Sequence, residues 1–313
     1  MLFFTDCKSF TEHLFNIHPP WQNYSGMPQD PVLKKLIPEF FRSGNLFTTA
    51  NKSGSLWRYV IIADDAQNSQ FSTLIEFVKN EADLPGGILC LARTGKNFTG
   101  FRNRNWISLP GNLHLSAYLK PDQVVENFHT GFTILSALSV IQTLDKIPGL
   151  QNKASIKWIN DILINNCKIS GVLTHTRAVE TKITDLFLGI GINIESTPQL
   201  DEALFTKKAT SIKEHIAKPT SESLPSILDN LLQNLAINYK LLLNGQYRTI
   251  LDLYRKRSMI IGKNIEVYSD PQQGEPVKIN SGKVTSIGDN LELFLEHQKE
   301  PIIRGRITWQ EPG

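Results

Sequence analysis

The chain has 313 residues, 41% of them apolar and 20% charged, with a formal net charge of +3 at pH 7. That length suits one large domain plus a small one around a substantial core, and so small a net charge implies no nucleic-acid partner. No run of about eighteen apolar residues is present to span a membrane, and three widely separated cysteines, Cys7, Cys90 and Cys167, suit a reduced cytoplasmic protein better than a disulfide scaffold.

Residues 1–56 are rich in proline and aromatics (Pro19, Pro20, Trp21, Pro28, Pro31, Pro38) and read as an irregular extension with one short helix near 31–42. They lack the clean pair of helices that a winged helix-turn-helix needs. From Trp57 the periodicity sharpens. RYVII (58–62) and ILCLA (88–92) read as buried strands, and residues 69–80 place Phe71, Leu74, Ile75, Phe77 and Val78 at helical spacing. NLHLSAYL (112–119) reads as a strand. Asp122 is placed to cap a long helix over 123–145, which Pro148-Gly149 stops.

ILI-NN-CKI (162–169) is a hairpin, because Asn165 and Asn166 tolerate the positive φ of a tight turn. DLFLGIGINI (185–194) is a further strand and 224–243 an amphipathic helix. From about 260, the short runs NIEVY, VKIN, GKVTSI, LELFLE and IIRGRITW between glycines and prolines suggest a small β-barrel or sandwich. The fold class is therefore α+β, a mixed sheet with helices followed by an all-β module. The seven histidines are too scattered for a histidine-built zinc site.

Three stretches carry candidate chemistry, each with a plainer alternative. ARTGKNFTGFRNRNW (92–106) sets Arg93, Lys96, Arg102 and Arg104 in a glycine-containing loop that can wrap an anion, or that is simply solvated. In SIKWIND (155–161), Lys157 offers a fixed positive charge among apolar neighbours, or snorkels to water from a strand end. In LGIGINI (188–194), Gly189 and Gly191 let something flat approach the backbone and Asn193 adds an amide able to read a base edge; close strand packing explains the glycines equally well.

Taken together and in this order, with a β-module at the end, the three stretches resemble the biotin–protein ligases (holocarboxylase synthetases). The matching residues are Gly100, Arg102, Arg104 and Trp106 in the loop, then PGNLHLS (110–116), KWIND (157–161) with Lys168 and Gly171, GIGIN (189–193) and ATSI (209–212). The resemblance implies a class II synthetase-like catalytic domain over 57–257, an SH3-like β-barrel over 258–313, and an N-terminal extension over 1–56 that is not a DNA-binding module. It implies ATP-dependent activation of biotin to biotinyl-AMP, with Mg²⁺, and transfer to a lysine of a biotin carrier domain by a cytoplasmic monomer or weak homodimer that binds neither nucleic acid nor membrane.

Carried over residue by residue, the resemblance makes Lys157 the catalytic group, bridging the biotin carboxylate and the α-phosphate. Biotin would meet Asn68, Ser69, Gln70, Gly100, Arg102, Gly111, Asn112, Leu113, Lys157, Lys168 and Gly171. ATP would meet Lys96, Arg102, Arg104, Trp106, Asn160, Asp161, Gly189, Gly191 and Asn193. The loop departs from the family pattern: Thr99 and Phe101 stand where arginines are usual, Asn103 where glycine is, Gly95 where glutamine is common, and Ile159 replaces a proline. Two other readings therefore stand beside the ligase: a lipoate or octanoate ligase, and a non-catalytic biotin- or nucleotide-binding protein with a degenerate loop.

Overall fold

A computed structural model describes residues 1–24, 31–41, 44–51, 56–80, 83–101, 104–200, 205, 208–216, 223–271 and 274–309. The chain opens with β1 (Leu2–Thr5), α1 (Lys8–Phe15), β2 (Gln22–Asn23), α2 (Pro31–Leu36) and β3 (Phe47–Ala50). Next come β4 (Tyr59–Ala66), α3 (Gln70–Asn80), β5 (Ile88–Gly95), β6 (Leu113–Leu119), β7 (Gln123–Val124) and α4 (Phe128–Asp145). Four strands follow, β8 (Ser155–Lys157), β9 (Asp161–Ile164), β10 (Cys167–Val179) and β11 (Lys182–Ile192), and then α5 (Leu224–Leu243) and α6 (Tyr247–Arg257). The chain ends with β12 (Asn264–Tyr268), β13 (Lys278–Ile287), β14 (Leu293–Leu295) and β15 (Arg306–Trp309).

The main sheet has eleven strands in the order β2-β3-β1-β4-β5-β6-β11-β10-β9-β8, with β7 paired to β11 off that path. Only the β1–β4 and β4–β5 pairings are parallel, so the sheet is mixed. A smaller antiparallel sheet, β14-β13-β12-β15, forms the C-terminal module. The class is α+β, as the periodicity suggested.

Side chains alternate across the main sheet, and helices cover both faces. Val60, Ile62, Leu89, Leu91 and Leu115 meet Phe132, Leu135 and Leu138 of α4 and Leu228 and Leu231 of α5. Phe4, Ile61, Ile88, Cys90 and Phe187 meet Leu33 and Leu36 of α2 and Leu74 and Val78 of α3. With both faces buried, β4 and β5 are apolar at consecutive positions, hence the unbroken runs at VIIA and ILCLA. Helix α4 is buried almost all round, so its hydroxyls must find partners inside. Ser136, Ser139 and Thr143 each donate to the carbonyl four residues back, and Asn234 and Asn238 of α5 donate to Thr143 and Ser139.

Four expectations change. Residues 1–56 are not an irregular extension: β1, β2 and β3 belong to the main sheet, and Phe3 and Phe4 enter opposite faces of its core. Helix α4 starts at Phe128 rather than 123, because Gln123 and Val124 pair with Lys182 and Ile183 while Asp122 forms an ion pair with Lys182 instead of capping. Helix α6, which the sequence reading omitted, buries Tyr247, Ile250, Leu251 and Tyr254 at helical spacing. VKIN and GKVTSI fall largely within one continuous strand, β13, rather than two.

The C-terminal sheet is tied to the turn between β8 and β9 by a buried bond, Trp158 Nε1–H donating to the Leu291 carbonyl at 2.7 Å. Trp158→Phe keeps most of the apolar contact but strips that carbonyl of its donor. The expected cost is about 1–3 kcal/mol of stability, read by urea unfolding; an unchanged midpoint would show that the bond does not couple the two sheets.

Candidate active site

The register of the main sheet lines up one row of residues across six strands. Asp161 of β9 lies opposite Gly171 of β10, Gly171 opposite Gly191 of β11, and Gly191 opposite His114 of β6. The row runs on through Ala92 of β5 to Ala63 of β4. Opposed residues share a face, so the sheet presents a floor that is bare at two glycines and small at two alanines, with a carboxylate and an imidazole between them.

Two side chains lie on the bare places. A Cβ at Gly171 would sit 3.2 Å from Cε and 3.3 Å from Nζ of Lys168, so the glycine makes room for that ammonium to reach Asp161 at 2.6 Å. A Cβ at Gly191 would collide with the Trp106 indole. The flat group that GxG admits to the backbone is thus, here, the chain's own tryptophan. Trp106 Nε1–H donates to His114 Nδ1 at 3.2 Å, and His114 Nε2 faces the Leu109 carbonyl at 3.1 Å, which fixes the tautomer protonated at Nε2. Burial pushes the imidazole down to about 4, the Leu109 carbonyl opposing, so the ring is neutral.

The loop after β5 doubles back over this floor. Thr99 and Asn105 form a bridge, Gly100 N–H donates to the Arg104 carbonyl at 2.6 Å and Trp106 N–H to the Phe98 carbonyl at 2.9 Å. Between loop and floor lies a cavity of about 390 Å³, walled by Ser69, Phe71, Phe98, Phe101, Leu115 and Ile190 on its apolar side. Asn193 also faces it. Its amide N–H donates to the Thr210 carbonyl at 3.0 Å, leaving Oδ1 buried with no partner among the described residues.

A second cavity of about 290 Å³ adjoins the first between the hairpin, α4 and the C-terminal sheet. Arg104, Asn160, Asp161 and Arg306 border both. Lys157 faces only the second; it is 7% exposed and its ammonium donates to the Phe205 carbonyl. Burial pushes Lys157 down to about 8, Asp161 opposing and Lys168, Arg306 and Arg104 adding to the fall. Burial likewise pushes the Asp161 carboxyl up, but Lys168 and Lys157 outweigh it and hold the group below the usual carboxylate range.

Of the residues that the sequence put forward, Ser69, Gly100, Arg104, Trp106, Asn160, Asp161, Lys168, Gly171, Gly189, Gly191 and Asn193 line the larger cavity. Lys157 lies in its neighbour. Asn68 is exposed and accepts from Asn97, Lys96 is exposed, and Gln70 is buried with its amide on the Leu91 carbonyl. Gly111, Asn112 and Leu113 line neither cavity; the Asn112 carbonyl oxygen instead accepts from the backbone N–H groups of Ile194, Glu195 and Ser196. Arg102 falls outside the described residues. The sequence reading missed His114, whose only signal was a polar residue in an apolar strand, and Arg306, which signalled nothing because its partner residues are so distant in the chain.

Among the described residues no three His, Cys, Asp or Glu side chains gather to hold a metal ion. The walls offer Asp161, already paired, and Asp270, a donor set that does not suit a resident Mg²⁺.

The floor from Asp161 to Ala92, both lysines and Asn193 fall within one matched segment. Residues 66–193 fit the model of the Biotin/lipoate A/B protein ligase family. That segment, less than half of the chain, is similar to the biotin/lipoate ligase family. The chain is 29% identical over 240 residues to the Bifunctional ligase/repressor BirA of Bacillus subtilis, covering 75% of this chain and 69% of that one. It is 29% identical over 127 residues to the Biotin–[acetyl-CoA-carboxylase] ligase of Paracoccus denitrificans, covering 41% and 52%. The biotin protein ligase from Aquifex aeolicus in complex with biotin and ATP superposes with a TM-score of 0.60 at 22% identity, over 82% of this chain and 100% of that one. At that identity the superposition speaks for the fold, and the likeness to the ligase family rests on residues 66–193 and on the curated relatives.

The neutral His114 makes the site acid-sensitive. Below pH 6.5 the unfolded chain takes up a proton that the native ring accepts only near pH 4, so stability falls as pH drops through that window. The expected loss is about 2 kcal/mol between pH 6.5 and 5, read by urea unfolding, and His114→Gln flattens the slope; an equal slope in both proteins places the acid lability elsewhere.

Proposed function

We propose that the chain is a biotin–protein ligase, which joins biotin to ATP as biotinyl-AMP and passes the biotinyl group to a lysine of a biotin carrier domain. The observation that carries this reading is the Lys168 ammonium, laid over Gly171 in the wall of the larger cavity beside an ionised Asp161, which borders both cavities. A carboxylate and a phosphate repel each other, so their reaction requires positive charge where they meet. Lys168 is the amine that faces that place, and we assign it the bridging role that the sequence alone suggested for Lys157.

In the first step a biotin carboxylate oxygen attacks the α-phosphorus, and the bond from phosphorus to the pyrophosphate oxygen breaks. In the second, the carrier lysine's neutral amine attacks the acyl carbon, the bond to AMP breaks and the amine loses a proton to solvent. Lys168 supports both by drawing charge toward the carbonyl and phosphoryl oxygens. Ser69 and the aromatic wall of Phe71 and Phe98 suit the apolar, hydrogen-bonding rings of biotin. The unpartnered Asn193 Oδ1 suits the exocyclic amine of adenine, and Trp106 a base stacked near it. Mg²⁺ would arrive on the nucleotide phosphates, and no step here is routed through it.

Every group in this scheme comes from one chain, so a monomer suffices. The repressor activity in the Bacillus protein's name is not carried over, since residues 2–50 supply strands to the main sheet. Among the described residues no helix is long and apolar enough to cross a membrane, and Cys7, Cys90 and Cys167 are in no disulfide; we place the reaction in the cytoplasm.

The test is pyrophosphate release by purified protein with biotin and ATP, together with labelling of a carrier domain, lipoate serving as the competing acid. Biotin should support both reactions and lipoate neither. Lys168→Ala should slow adenylation by roughly a hundredfold to a thousandfold. No turnover with biotin, a preference for lipoate, or an undiminished rate in that variant would each remove the assignment.

A further inference from the structure

We propose that the N-terminal segment is an intramolecular clamp on the loop that follows β5, with Phe41 as its positioning residue. The residues that form the clamp on the N-terminal side, Asp6 and Phe41, line neither cavity. Its consequence for turnover rests on the ligase reading above; the clamp itself is a property of the chain without any ligand.

Two contacts carry it. The first is apolar. A 3₁₀ turn, Ile37–Phe40, leads into Phe41, whose backbone is extended (φ −120°, ψ 144°). Phe40 is buried in the core beneath α2 and α3. Phe41 packs against that core and also against a separate patch made of Ala63, Ala66, Ala92 and Phe98; among the described residues it is the one side chain common to both. Three members of the patch are alanines, so the rings laid on it are what keep water away.

One of those rings belongs to the loop. Phe98 folds back until a Cβ at Gly95 would collide with its ring, and its carbonyl accepts from Trp106 N–H at 2.9 Å. Its ring lies 5.6 Å from that of His114. Phe98 is therefore the loop's apolar anchor, and Phe41 shares its bed.

The second contact is polar. Asp6, just past β1, accepts from Asp64 N–H of β4 at 2.8 Å. The Asp64 carboxylate in turn accepts two bonds from Arg93 near the end of β5, at 2.6 and 2.9 Å. Two residues on, β5 ends, and Lys96 N–H donates to the Ala66 carbonyl at 2.9 Å. The N-terminal segment thus reaches the root of the loop through Asp6 and its anchor through Phe41. Since residues 1–41 line neither cavity, their influence on chemistry must pass through contacts such as these. A loop held in place beforehand spares the substrate the cost of ordering it.

The test uses the full chain, as wild type and as Phe41→Ala, Phe41→Leu and Phe40→Leu. Brief tryptic cleavage of the ligand-free protein after the exposed Lys96 reads local opening of the loop, and urea unfolding reads the whole fold. Steady-state kinetics follow. Phe41→Ala should be cut after Lys96 about fivefold faster than wild type and should raise the KM for biotin by about the same factor, with kcat within about twofold. Phe41→Leu should restore most of both. Phe40→Leu should lower the urea midpoint while cleavage after Lys96 keeps its wild-type rate, a contrast that a merely structural role for Phe41 would not produce. If Phe41→Ala does not fold, Phe41→Val carries the same expectation. The clamp is overturned if the folded variant is cut no faster, if Phe40→Leu opens the loop as much, or if an active Phe41→Ala enzyme keeps its KM for biotin. Faster cleavage in a protein that forms no adenylate would uphold the clamp and count against the ligase reading alone.

Discussion

The whole site depends on two points where the sheet has no side chain. Gly171 and Gly191 face each other across β10 and β11, with Asp161 on one flank and His114 on the other. Any Cβ at Gly191 would displace Trp106, and one at Gly171 would crowd the Lys168 amine. Because register is fixed by the buried faces of the sheet, a slip of one residue would carry the entire row to the far side. The geometry of the floor is therefore secured by Ile162, Ile192 and Leu113, core side chains that line neither cavity.

That floor also sorts the polar groups by charge. His114 is buried where no carboxylate opposes it, and it stays neutral, serving Trp106 as an acceptor. Asp161 is buried where two lysines reach it, and it stays ionised despite burial. A protonated Asp161 would lose its hold on the ammonium of Lys168, and an apolar residue there would leave two cations beside each other without compensation. Asp161 thus holds the Lys168 ammonium in place at 2.6 Å, which is a positioning role.

Much of the architecture was legible because it follows from periodicity. The strands at 59–66, 88–95 and 113–119, the Asn165-Asn166 turn and the helix at 224–243 all carry local signals that burial agrees with. The N-terminal strands were obscured by the prolines and aromatics around them, and pairing of β1 with β4 across more than fifty residues has no local signature. In the site, the motif glycines Gly171, Gly189 and Gly191 line the larger cavity, but spacing could not tell that Lys168 faces that cavity and Lys157 its neighbour. Lys157 and Lys168 stand on different strands of one hairpin, and only the bulge between Lys168 and Ser170 decides how β10 aligns with β9. PGNLHLS divides: His114, Leu115 and Ser116 line the larger cavity, while Gly111, Asn112 and Leu113 line neither. Its asparagine is committed to three backbone N–H groups of the 194–196 turn, a structural duty that no residue-type argument separates from ligand binding.

The loop's lost arginines and the C-terminal arginine belong to one electrostatic problem. A polyanion needs a certain amount of compensating charge at the junction of the two cavities, and the sequence position from which that charge comes is immaterial. Thr99 is bonded to Ser72 and Phe101 turns an apolar face to the cavity, so the loop has shifted toward shape and away from charge. Burial, with Arg104 adding to it, disfavours the charge on Arg306, an arrangement that a negative group nearby would relieve. The bond from Trp158 to the Leu291 carbonyl joins the C-terminal sheet to the strands that carry these groups, so the charge at the border depends on how the two sheets meet.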